Sequence, residues 1–103
     1  MATSEDYLDY VLDCLRGLGE VEAKRMMGEY CLYFKGKLVG LICDNRFLVK
    51  RTSTSDRLFP DGSLDYPYPG SKTLMHVVDF EDREKMKVLL EGLYRELPDK
   101  KRP

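Results

Sequence analysis

A single histidine, His76, stands between Met75 and Val77 in a β-rich segment. Histidine performs acid–base chemistry when it has a nucleophile to deprotonate and an acid to orient it. No Gly-x-Ser-x-Gly elbow or comparable nucleophile motif accompanies it, so His76 reads as a surface or half-buried strand residue. Three cysteines, Cys14, Cys31 and Cys43, each fall within an apolar segment, and none forms a Cys-x-x-Cys pair. They read as reduced, buried thiols of a cytoplasmic chain. One histidine and three scattered cysteines do not make a zinc ligand set. The acidic groups at Asp61 to Asp65 and Glu81-Asp82 lack the alternating spacing of a calcium loop. Glycines occur singly, without the Gly-rich patterns that cradle phosphates. These residues predict no catalytic group, no cofactor and no metal.

Charge offers a different chemistry. The formal net charge is −1, but it is unevenly spread: residues 1–22 carry six acids against one base, and residues 24–57 carry eight bases against three acids. The cations Lys24, Arg25, Lys35, Lys37, Arg46, Lys50 and Arg51 are candidates for contact with a nucleic-acid backbone, which requires several clustered positive charges. The competing reading is an ordinary solvated surface. Tyrosine is abundant, at seven residues. Tyr66 and Tyr68, set among prolines, form either a partner-binding tip or, by preference, rings folded over the core edge.

Positioning these side chains requires a fold. The 103 residues, 43% hydrophobic and 34% charged, suit one domain, 1–103, with 98–103 a short charged tail. No apolar run approaches membrane-spanning length, and the acidic start is unlike a signal peptide. Leu8, Val11, Leu12 and Leu15 recur at helical spacing and predict a helix over Ser4 to Arg16, capped by Thr3 or Ser4 and stopped by Gly17 and Gly19. From Val21 to Thr52 the pattern becomes β-rich, with turn signals at Gly28, Lys35-Gly36-Lys37 and Asp44-Asn45-Arg46. Four strands are predicted: Val21–Met27, Glu29–Lys35, Leu38–Cys43 and Phe47–Thr52.

A two-residue turn at Gly36 sets Tyr30, Leu32, Phe34, Val39, Leu41 and Cys43 on the core face. Cys31, Tyr33, Lys35, Leu38, Gly40 and Ile42 then fall on the opposite face. Cys31 and Cys43 therefore should not meet, and the second face, partly apolar at Tyr33, is expected either to be covered by a helix or to associate. A short helical turn capped by Thr54 or Ser55, a fifth strand over Thr73–Val78 and a helix over Asp79–Leu97 complete the chain. The last helix carries Met86, Leu89, Leu90, Leu93 and Leu97 on its apolar side. The expected architecture is α+β, a five- or six-stranded antiparallel sheet with N- and C-terminal helices packed on it.

The segment Lys24-Arg25-Met26-Met27-Gly28-Glu29-Tyr30-Cys31-Leu32-Tyr33 resembles the signature of TfoX N-terminal domains from the TfoX/Sxy competence regulators. Arg25, Met26, Gly28, Tyr30, Leu32 and Tyr33 match it, as do Gly36-Lys37, Asp44 with Arg46, and Leu48 to Lys50. Met27 replaces an aromatic residue and Cys31 a glycine. The resemblance implies an α+β fold without known catalytic residues. It also implies a regulatory role through protein contacts in transcription, which full-length members exert with the cyclic-AMP receptor protein and a second, helical domain. The motif residues read mainly as fold determinants, with Met26 and Tyr30 in the core and Gly28 easing the backbone between two strands. Expected partners are a protein, with transcription machinery or a second copy of the chain as candidates, and alternatively a nucleic acid held by the basic segment.

Overall fold

The computed structural model describes residues 3–26, 29–60 and 62–98. The chain runs α1 (Glu5–Leu15), β1 (Val21–Met26), β2 (Glu29–Phe34), β3 (Lys37–Cys43), β4 (Arg46–Val49), α2 (Ser53–Leu58), β5 (Ser63–Asp65), β6 (Met75–Val77) and α3 (Arg83–Glu96). The strands form one six-stranded antiparallel sheet in the order β1-β2-β3-β4-β6-β5. The α+β architecture with terminal helices is as expected. The addition is β5, whose three exposed residues carry no alternating signal.

The meander follows from its turns. Lys35 and Gly36 both have positive φ (52° and 82°), as do Asp44 and Asn45 (53° and 54°). Two consecutive left-handed residues suit two-residue hairpins, whose twist matches that of the strands, and Gly, Asn and Asp tolerate them best. Gly28 and Met27, between β1 and β2, lie outside the described residues, as does Asp61.

The predicted strand register holds only next to the Gly36 turn. There Phe34 pairs with Lys37 and Tyr33 with Leu38; past Leu32 the partners shift to Gly40, Leu41 and Ile42. Val39 is the extra residue of a β-bulge. Val39 stays in the main core as expected, but the shift reverses the faces of the rest of β3: Ile42 joins the core, whereas Leu41 and Cys43 turn to the opposite face, alongside Cys31. The separation of Cys31 from Cys43 expected from strict alternation is thus overturned. Gly40 explains the local geometry, since a Cβ there would lie 2.3 Å from the Leu48 carbonyl oxygen.

One sheet face carries the core. Val11 and Leu15 of α1 and Met86, Leu89, Leu90 and Leu93 of α3 pack against Tyr30, Leu32, Phe34, Val39, Ile42, Phe47 and Val49. Ser4 caps α1 by accepting the Tyr7 amide. The last helix begins four residues later than its charge pattern predicts. Phe80 is drawn into the core, edge-on to Tyr7, Tyr10 and Phe47, so the helix waits for Asp82, which accepts the Lys85 amide. α2 is capped by Thr52 rather than Thr54 or Ser55, because Thr52 and Ser55 form a reciprocal capping box. This also ends β4 at Val49, short of the predicted Thr52. Thr54 instead seats α2 on α3: Glu96 accepts its amide and its hydroxyl, opposite a close approach at Gly92. No helix among the described residues is long and apolar enough to cross a membrane.

Candidate partner-binding face

Among the described residues, no helix packs on the second face of the sheet. Its apolar floor is Cys43, Leu48 and Met75, with Leu41 and Val77 packed beside them. The connection 66–74 crosses part of it, tied down by Arg46. This side chain pairs with Asp65 (Nη1 to Oδ2, 2.7 Å) and donates from Nη2 to the carbonyls of Tyr66 (3.4 Å) and Pro67 (3.3 Å). Its Nε is buried without a hydrogen-bond partner. Pro67 is buried under this clamp, while Tyr66 and Tyr68 are 46% and 53% exposed. The rings therefore project from the face rather than folding over the core edge.

Two hollows flank the clamped segment. One, of about 720 Å³, runs over Leu38, Gly40, Leu41 and Met75 and is bordered by Lys50, Arg51 and Lys72. The other, of about 350 Å³, is formed by Met26, Cys31, Leu41, Cys43 and Tyr68 beside Glu29 and Tyr30. Tyr68 belongs to both. Burial, reinforced by the nearby Glu29 carboxylate, pushes the Cys43 thiol up to about 11. Glu29 is engaged structurally: its carboxylate accepts the Thr3 amide and hydroxyl and the Asp44 amide, fastening the N-terminus to the β3–β4 turn.

The cations predicted to make a basic surface are largely committed elsewhere. Lys37 donates to the carbonyls of Tyr94 (2.6 Å) and Leu97 (2.7 Å), closing the C-terminus of α3. Lys35 lies over the Phe34 and Tyr94 rings, and Lys24 over Tyr33. Arg46 is the clamp, and Arg51 pairs with Asp56. Arg25 is exposed on edge strand β1, away from Lys50 at the larger hollow. The seven do not converge on one patch.

His76 departs from its expected surface or half-buried position. It is 3% exposed, and its Nε2 lies 2.7 Å from Asp56 Oδ1. The bond from His76, aided by Arg51, lowers the Asp56 pKa. The pairing depends on α2 being folded over β6, a contact between distant segments that no local pattern announces. Nδ1 of His76 is buried with no hydrogen-bond partner among the described residues. Among the described residues, no three His, Cys, Asp or Glu side chains form a metal-binding group.

The profile of the TfoX N-terminal domain matches residues 13–97, most of the chain and every strand of the sheet. The chain belongs to the TfoX N-terminal domain family. It is also 42% identical over 72 residues to an uncharacterized 12.7 kDa protein in the trpE 5′ region of Spirochaeta aurantia. That match covers 70% of this chain and 63% of the relative, so the chain spans less than two thirds of that relative's length.

In this TfoX N-terminal domain the motif residues do different jobs. Leu32 and Tyr30 are buried core, Gly36 and Asp44 make the left-handed hairpin turns, and Tyr33 is half-buried on the second face. Met26, expected in the core, is 55% exposed. It stands opposite Glu29 at the end of edge strand β1, on the face away from the helices. The expected role of Gly28 lies outside the described residues.

Proposed function

We propose that this TfoX N-terminal domain is a non-catalytic regulatory or adaptor module that contacts a protein partner in transcription control through its second sheet face. The observation that carries this reading is the pair of exposed tyrosines, Tyr66 and Tyr68, held by the Arg46 clamp over an apolar sheet face without a helix. Rigid aromatic side chains beside hollows are the usual anchors of protein interfaces. Family membership supports a regulatory domain related to competence. A cytoplasmic location fits that role.

A second reading is a small nucleic-acid module. Lys50, Arg51 and Lys72 border the hollow that Tyr66 and Tyr68 overhang, and single strands bind where cations track the backbone and rings stack on bases. Against it, Lys37 and Arg46 are engaged by carbonyls and Asp65. A photo-crosslinker at Tyr68 tests both, with one at Tyr10, on the helical side, as control. Crosslinking of a transcription component from position 68 alone, lost in Leu41→Asp, supports the adaptor. Crosslinking to nucleic acid, weakening steeply with salt, replaces it with the second reading. Equal labelling from both positions refutes both.

A further inference from the structure

The geometry points to a soft-metal site: Met26, Cys31 and Cys43 together bind one monovalent ion of the Cu(I) type in the cleft beside Tyr68. The bulge in β3 makes this possible, because it brings Cys43 to the same face as Cys31. On that face Cys31 lies between its two sulfur neighbours. Lys24 is directly opposite Cys31 on β1 and Met26 is two residues further on. Leu41 is directly opposite on β3 and Cys43 is two residues further on. The Cys31 Sγ lies 4.0 Å from the Met26 Sδ, and the three side chains line one cleft of about 350 Å³.

The donor set selects the ion. Thiolate and thioether sulfurs are soft ligands and favour Cu(I), which is satisfied by two or three of them. Zinc needs a fourth ligand in tetrahedral array. The nearest carboxylate, Glu29, is occupied by Thr3 and Asp44, and His76 lies on the opposite sheet face. Direct oxidation to a disulfide suits the pair less. Diagonal cross-strand neighbours are roughly 7–8 Å apart, beyond the usual Cα separation of a disulfide, roughly 4.4–6.8 Å. An ion bridging two sulfurs spans the longer gap. Met26, at 55% exposure, forms the entrance, while Cys31 and Cys43 are 4% and 3% exposed. Binding releases the two thiol protons to solvent and leaves a complex of charge −1.

The proposal stands independently of the partner-binding reading. Its test is an anaerobic titration of the reduced protein with Cu(I) against a chromophoric Cu(I) chelator. One equivalent should bind, with a near-ultraviolet thiolate-to-copper band. Cys31→Ser or Cys43→Ser should weaken binding by ~100-fold and Met26→Leu by ~10-fold, since the thioether is the weaker donor. Cys14→Ser should leave it unchanged. The wild-type protein supplies a check that needs no variant: bound Cu(I) or Ag(I) should protect Cys31 and Cys43, but not Cys14, from iodoacetamide. Undiminished binding in a Cys31→Ser/Cys43→Ser variant, equal protection of all three cysteines, or protection of none overturns the site.

Discussion

Replacing Arg46 with alanine tests whether the clamp organises the second face. Three interactions are lost. The ion pair to Asp65 contributes at most ~1 kcal/mol, because Asp65 is 57% exposed and water screens the pair. The bonds to the Tyr66 and Pro67 carbonyls are long and share one nitrogen, so together they contribute ~1 kcal/mol. Against this, the variant removes a buried Nε that has no partner, returning ~1 kcal/mol of desolvation cost. The net loss is about 1 kcal/mol, and it falls on the loop rather than on the helix-facing core, which Arg46 does not enter. Local opening should rise by about fivefold. Amide hydrogen exchange reads this directly. The amides of Tyr66, Ser71 and Thr73, bonded to Asp65, Tyr68 and Ser71 respectively, should lose about fivefold protection while those of β2 and β3 keep theirs. Arg46→Lys should fall between, since one ammonium cannot reach both Asp65 and the two carbonyls. Unchanged protection in the loop, or an equal loss throughout the sheet, would refute the clamp.

Gly92→Ala places a methyl 2.5 Å from both Cγ2 and Oγ1 of Thr54. Overpacking of ~2 kcal/mol against ~1 kcal/mol of helix propensity should lower Tm by roughly 4–8 °C in thermal unfolding; an unchanged or higher Tm means that α2 does not sit on α3. The Thr54 hydroxyl and amide, with the Thr52 hydroxyl, hold the Glu96 carboxyl down to about 2 from 4.5. A lowered folded-state pKa stabilises above the unfolded value and is lost as pH falls through the folded one. Glu96→Gln should therefore be less stable at neutral pH and show a flatter decline in Tm between pH 4.5 and 2; an acid limb identical to wild type argues against the bond. In the metal-free protein, iodoacetamide at pH 8 should label half-buried Cys14 first and Cys43 last, since a thiol near 11 is only ~0.1% thiolate there; mass mapping that finds Cys43 modified first contradicts its burial.

Most of the fold was legible because it is written in local periodicity. The α1 residues Val11 and Leu15, the α3 residues Met86 to Leu93 and the two left-handed turns all follow from spacing or turn chemistry within a few residues. What escaped was set by contacts between distant segments. β5 owes its existence to β6 rather than to its own exposed residues. α3 starts later than the acids at 79–82 suggest because Phe80 answers to Tyr7 and Phe47 rather than to those acids.

The largest loss came from one residue, Val39. A period of two propagates any slip to the end of the strand, so one bulge inverted the faces of Gly40, Leu41, Ile42 and Cys43 together. Gly40 was the available signal, since an isolated glycine within a strand marks a bulge or a close backbone approach. A bulge there puts Ile42 in the core and Leu41 and Cys43 on the second face. The same step decides the site. With strict alternation, Cys43 would be one more core thiol, and the second face would hold a single cysteine. With the bulge, two thiols and a thioether share a cleft at the foot of the exposed Tyr68. Restoring alternation by deleting Val39 should therefore abolish the paired protection of Cys31 and Cys43 by Ag(I) while leaving Cys14 labelling unchanged.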